Sequence, residues 1–165
     1  MNIHQIELDE LNAALSVIQN SFATVAAEFH LTEENCPGHT AFITLEKLQR
    51  RYAFGDCMYL CTIDSVPVGF YSLKQIDSEA WELDHLSVLP EYRHHGIGEA
   101  LLDHAEKTVQ KKNGITLKIG IIEDNTKLKK WYIKHGFVST GTKRFEHLPF
   151  TVGFMEKRIE QLLTL

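Results

Sequence analysis

At 165 residues, 44% apolar and 24% charged, the chain suits one domain with a single sizeable core. No apolar run reaches the roughly 18 residues of a membrane span. The net charge of −5 argues against nucleic acid as the main partner and is compatible with a cationic substrate.

The opening MNIHQIELDELNAAL lacks the basic start and apolar run of a signal peptide, so the expectation is that it is part of the fold. Residues Asn2 to Glu7 alternate weakly and predict a first strand. Leu8, Leu11, Leu15, Ile18 and Phe22 then recur at helical spacing, running on towards Phe29, until Asn35, Pro37 and Gly38 break the pattern. Thr44 is placed to cap a second helix, Leu45 to Phe54, closed by Gly55. Met58 to Ile63 and Val66 to Lys74 are rich in β-branched and aromatic residues, and the Asp64–Ser65 link between them reads as a hairpin. A further strand, Ala80 to Val88, stops at Pro90. Beyond two close glycines, Ile97, Leu101, Leu102, Ala105 and Val109 form a helix face that Asn113–Gly114 ends. Ile115 to Ile122 reads as a strand and Asn125 to Lys134 as a helix ended by Gly136. Phe137 to Arg144 and Phe150 to Lys157 close the chain as an antiparallel pair. The order is β-α-α-β-β-β-α-β-α-β-β, with one strand–helix–strand crossover whose strands should lie parallel and adjacent. That is a mixed α/β sheet with helices on both faces. No repeat, linker or composition shift divides it, so one domain over residues 1–165 is expected. Three cysteines, Cys36, Cys57 and Cys61, form an odd set without metal-ligand spacing, which fits reduced thiols in a cytoplasmic protein.

The chemistry gathers at PEYRHHGIGEALL, where Arg93, His94 and His95 precede Gly96 and Gly98 at a helix start. The first turn of a helix leaves backbone N–H groups without intrahelical partners, and its dipole adds partial positive charge there. Glycine lets a phosphate oxygen reach those donors, and the Arg93 guanidinium offers a bidentate fork. The run lacks the Gly-Lys-Ser/Thr ending of a P-loop and the first glycine of a dinucleotide fingerprint. A turn that merely lets helix and strand pack closely gives the same spacing.

The chain resembles the GNAT superfamily of N-acetyltransferases. Its Arg/Gln-x-x-Gly-x-Gly/Ala signature is matched by Arg93-His94-His95-Gly96-Ile97-Gly98, behind a strand, LDHLSVLPEY, like the family's central one. The apolar positions of that strand, Leu83, Leu86 and Val88, are spaced three then two, as a bulge requires. A second motif follows in Glu123-Asp124-Asn125 and Trp131 to Phe137. The resemblance covers residues 56 to 157, and one departure from it is His94, where many members have glycine.

It implies the acyl-CoA N-acyltransferase fold: a mixed, mostly antiparallel central sheet with a parallel, splayed middle pair. Acetyl-CoA is the implied donor, with no metal. The backbone of Arg93, His94, His95, Gly96, Ile97 and Gly98 would hold the pyrophosphate. The main chain of Leu86, Ser87 and Val88 would pair with the pantetheine arm, and Asn125 would contact that arm. Tyr132 matches the family's proton donor to the departing thiolate, a role a phenol of pKa ~10 can fill; a tyrosine packed on the core is the plainer reading. Attack needs a neutral amine, so a proton must leave, and Glu82, in the resemblance the usual carboxylate, Asp84, His85 or a water is its destination. A solvated strand carboxylate is the alternative for Glu82 and Asp84. The implied acceptor is a primary amine of a small molecule or peptide, attacked directly in a ternary complex, and the family suggests a homodimer. Two rivals are a non-catalytic acyl-CoA sensor and an enzyme moving a longer acyl group. Cys36 with His39 lacks an orienting third group for nucleophilic catalysis. Arg144 to Phe150 offers His147, Phe150 and Glu146 as acceptor contacts, or a plain packed turn, and Phe22, Phe29 and Tyr52 offer an apolar wall or core.

Overall fold

The computed structural model describes residues 1–162. Within them the chain forms two compact units, 1–74 with 83–105, and 75–82 with 106 onward. The seven strands run in the hydrogen-bonded order β1-β2-β3-β4-β5-β7-β6. They are β1 (Asn2–Gln5), β2 (Cys57–Ile63), β3 (Val66–Gln75), β4 (Ala80–Val88), β5 (Thr116–Ile122), β6 (Val138–Arg144) and β7 (Thr151–Arg158), and the helices are α1 (Leu11–Glu28), α2 (Leu45–Ala53), α3 (Ile97–Lys111) and α4 (Thr126–Lys134). This is the mixed layout expected, mostly antiparallel, with a parallel pair made by β4 and β5.

In the first unit, Leu11, Ala14, Val17 and Ile18 of α1 recur at helical spacing and are buried. They join Ile6, Ile43, Leu48, Met58, Leu60 and Phe70 in one apolar cluster. Burial of side chains this size contributes about 1.5–3 kcal/mol each. Phe22 and Tyr52 pack against that cluster, which favours their core reading. The first helix begins at Leu11 rather than Leu8. Leu8 stands exposed in a preceding 3-10 turn, where Glu10 accepts from the Glu7 N–H at 3.0 Å. Thr44 caps α2 as anticipated, its Oγ1 accepting from Lys47 N–H at 3.2 Å. Asp64 and Ser65 both have positive φ, 49° and 65°. That is the requirement of a two-residue hairpin turn matching the strands' twist.

In the second unit β4 and β5 pair through Ala80↔Thr116, Trp81↔Leu117 and Glu82↔Lys118. Seven residue pairs join β5 to β7. The core includes Trp81, Val109, Leu117, Ile119, Tyr132, Phe137 and Met155. Gly114 closes α3 where only a glycine fits: a Cβ there would lie 2.4 Å from Val109 Cγ1 and 2.6 Å from the Trp81 ring. Among the described residues no helix is long and apolar enough to cross a membrane.

Candidate active site

The first unit carries the loop and most of β4. A 3-10 turn, Pro90–Tyr92, leads from β4 into the loop. The loop then bends through positive φ at His94 (65°) and Gly96 (80°). Successive turns of this kind form a concave nest of N–H groups. The N–H of Arg93 is used, bonding to the Pro90 carbonyl at 3.3 Å. Those of His94, Gly96, Ile97 and Gly98 bond to no protein acceptor among the described residues, while His95 closes a turn over Arg93 and His94. An ideal Cβ on Gly96 would meet nothing within 4 Å, so the space over the loop is open. Four amides at a helix start, unused by the protein and beside open space at Gly96, are suited to an anion. The left-handed backbone at His94 also explains why glycine suits that position in relatives: glycine adopts it without a steric penalty.

Arg93 departs from the expectation. Its guanidinium bonds inward, to the Val88 carbonyl (3.1 Å), the Ser21 carbonyl (2.8 Å) and Thr24 Oγ1 (3.0 Å). All three nitrogens are engaged, so the fork intended for phosphate is instead a strut from the loop to β4 and α1.

In β4 the expected irregularity falls at His85, whose φ is +56°. A non-glycine residue held there costs about 1–2 kcal/mol. The side-chain pattern changes with it. Ser87 is buried, at 2% exposure, whereas Leu86 and Val88, expected as core positions, are half-buried. Ser87 Oγ donates to the His85 carbonyl at 2.6 Å. Arg51 of α2 donates to Asp84 Oδ2 (2.6 Å), to Asp56 Oδ2 (2.7 Å) and to His85 Nε2 (3.3 Å). Ser72 of β3 lies 3.2 Å from His85 Nδ1 and 3.3 Å from the Asp84 carbonyl. Burial, with Arg51 beside it, pushes the imidazole down to about 4. At neutral pH His85 is therefore uncharged, and both of its nitrogens are engaged within the protein. Asp84 has its Oδ2 committed to Arg51.

The second unit holds Glu82, Asn125 and Tyr132. Glu82 is half-buried on β4 across from Lys118. Asn125 caps α4, its Oδ1 accepting from the Leu128 N–H at 3.3 Å. Its amide nitrogen makes no hydrogen bond among the described residues. Tyr132 is 5% exposed. Its ring stands edge-on to Trp131 and Phe137, with centroids 5.0 and 5.1 Å away. Next to Asn125, Glu123 contacts Lys129 through Oε1. Its other oxygen is buried without a partner, and a Cβ on Gly153 would fall 2.0 Å from it.

Of the remaining candidates, Cys36 and His39 read as structure. Cys36 is buried, which pushes its thiol up. His39 caps a short turn, its Nδ1 accepting from the Ala41 N–H at 3.2 Å. Glu146 and His147 are exposed and Phe150 is half-buried, with His147 against the Phe145 ring. Among the described residues no group of three or more His, Cys, Asp or Glu side chains is arranged to hold a metal ion. The Arg51 network escaped the sequence reading because its members come from α2, β3 and β4, and no spacing along the chain joins them.

A family model described as an acetyltransferase (GNAT) domain matches residues 55–139. The chain belongs to this family. Similar to it over 97% of its length, and 98% of the relative's, is a spermidine N(1)-acetyltransferase of Thermoplasma acidophilum, 27% identical. Among solved structures, the PaiA N-acetyltransferase of Thermoplasma acidophilum in complex with coenzyme A is 28% identical. It superposes with a TM-score of 0.78, over 96% of this chain and 99% of that one. The ribosomal-protein-S18-alanine N-acetyltransferase of Escherichia coli has the same TM-score at 17% identity, covering 99% and 96%. That third likeness is one of fold.

Proposed function

We propose that this GNAT-family protein transfers the acetyl group of acetyl-CoA to a primary amine of a small molecule or peptide, by direct attack in a ternary complex. The observation that carries the reading is the set of four unpartnered amides at His94, Gly96, Ile97 and Gly98, since a diphosphate is the anion that would use several at once. The similar PaiA structure with coenzyme A supports the same donor. The net charge of −5 and the spermidine-acetylating relative support a cationic acceptor.

In this reading the loop amides hold the pyrophosphate, and Leu86, Ser87 and Val88 offer their main chain to the pantetheine arm. The free amide nitrogen of Asn125 donates to that arm while its oxygen keeps α4 capped. An ammonium of pKa ~10.4 must lose a proton before attack, and Glu82 receives it directly or through a water. Backbone N–H groups near Leu86 and Ser87 meet the oxygen that becomes negative, and Tyr132 protonates the departing thiolate. The protein acts in the cytoplasm, as a homodimer and without a metal.

The test is release of free thiol from acetyl-CoA across a panel of amines that begins with spermidine and includes amino-terminal peptides. Turnover with any of them supports the proposal. Tight coenzyme A binding with no turnover for any amine replaces it with an acyl-CoA sensor, and a wider acyl-donor panel checks whether a longer group is preferred.

A further inference from the structure

The kink at His85 is pinned from four directions. Arginine can only donate, so the Arg51 contact makes His85 Nε2 an acceptor and leaves the ring proton on Nδ1. That proton points at Ser72 Oγ, whose own proton goes to the Asp84 carbonyl. The carboxylate of Asp84 is held by the same Arg51, and the His85 carbonyl by Ser87 Oγ. Both ring nitrogens of the left-handed residue, its carbonyl, and the carbonyl and one carboxylate oxygen of Asp84 thus have partners, drawn from α2, β3 and β4. Asp56 completes the arrangement by holding Arg51 Nε at 2.7 Å. A strained backbone persists where its surroundings over-determine it. Here the over-determination is visible bond by bond.

We propose that Arg51, Ser72 and His85 form a brace that keeps β4 in its left-handed kink, and so positions the main chain of Leu86 to Val88 for the thioester. The second half of this rests on the acetyl-transfer reading; the first does not. None of the three is a catalytic residue. They act through the backbone they hold, and the diphosphate grip, at His94 to Gly98, is not theirs.

The experiment compares Arg51→Met, Arg51→Lys, Ser72→Ala, His85→Ala and His85→Asn in the full chain. Amide hydrogen exchange across Leu86 to Val88 reads the brace itself and needs no activity. It should quicken at least tenfold in Arg51→Met and His85→Ala, and unchanged exchange in folded variants overturns the brace. Where wild-type turnover exists, kcat should fall roughly tenfold in the same variants while the dissociation constant for coenzyme A stays within about threefold. Asparagine tolerates left-handed backbone and keeps a donor and an acceptor, so His85→Asn should recover most of what His85→Ala loses. The acid limb of the kcat/KM profile should keep its midpoint in His85→Asn. Its disappearance would make His85 a base and overturn the positioning role. If Arg51→Met fails to fold, Arg51→Lys, which keeps a charge and a donor, should fold and show the faster exchange; normal exchange there overturns the proposal. A wild type with no turnover but a brace that passes the exchange test removes the acetyl-transfer reading alone.

Discussion

The loop that opens α3 and the helix α4 both carry family motifs, yet the structure builds them in opposite senses. In the loop the candidate groups are main-chain amides that the protein leaves unused, and the side chain with most chemistry, Arg93, is turned inward as a strut. In α4 the main chain is ordinary helix, and the interest lies in side chains that also hold the structure. Asn125 caps it, and Tyr132 is packed against Trp131 and Phe137. One region's candidate work is done by backbone geometry, which tolerates varied side chains. The other's depends on particular side-chain atoms, which substitution can delete singly.

The sharpest way to break that contrast is Tyr132→Phe, which keeps the ring packing and removes only the hydroxyl. Turnover should fall about 100-fold, the scale of general-acid loss, with the thermal midpoint nearly unchanged. Steady-state rates with one fixed acceptor check it, and undiminished turnover would leave Tyr132 as core. Next comes Arg93→Ala. Loss of charged hydrogen bonds to Ser21, Thr24 and Val88 should lower stability by about 2 kcal/mol, whereas coenzyme A binding should weaken only a few-fold. Thermal melts beside calorimetric titration separate the two, and the reverse ranking would restore Arg93 as a phosphate ligand. Gly96→Ala tests the loop's backbone directly. No atom blocks the new methyl, so the effect should come from holding alanine at φ +80°. A strain of about 1–2 kcal/mol corresponds to roughly tenfold weaker coenzyme A binding. Smallest is Asn125→Asp, which caps α4 as well as asparagine does but replaces the free amide donor. The KM for acetyl-CoA should rise about 3–10-fold, one hydrogen bond's worth, with the melt unaltered.

The same division explains what could be read from the chain alone. Strand and helix order follows from apolar period and from Gly, Pro and Asn punctuation, and all eleven elements appear where those signals stand. The anion loop is legible because its parts are contiguous, from Arg93 to Gly98. What was hidden is whatever joins distant residues. Arg93 looked like a phosphate ligand because Ser21 and Thr24 lie some seventy positions away. The partners of Arg51, at Asp84 and His85, are more than thirty residues from it. At Leu86 to Val88 the alternation misleads for a local reason: once His85 turns left-handed, Ser87 rather than Leu86 goes inside. The short turns at Leu8–Glu10, Thr40–Phe42 and Pro90–Tyr92 are too brief to leave a periodicity.

The inward turn of Arg93 has a consequence for how the loop meets ions in solution. A grip built from amide dipoles has no counterions to shed, while exposed charge pairs weaken as salt shortens the ~8–10 Å range of their attraction. Binding of dephospho-coenzyme A, which presents the diphosphate without the ribose phosphate, should therefore change little as ionic strength rises. The donor would be held by fit to the curvature of the loop rather than by bulk attraction, and other polyanions of the cell would compete with it poorly.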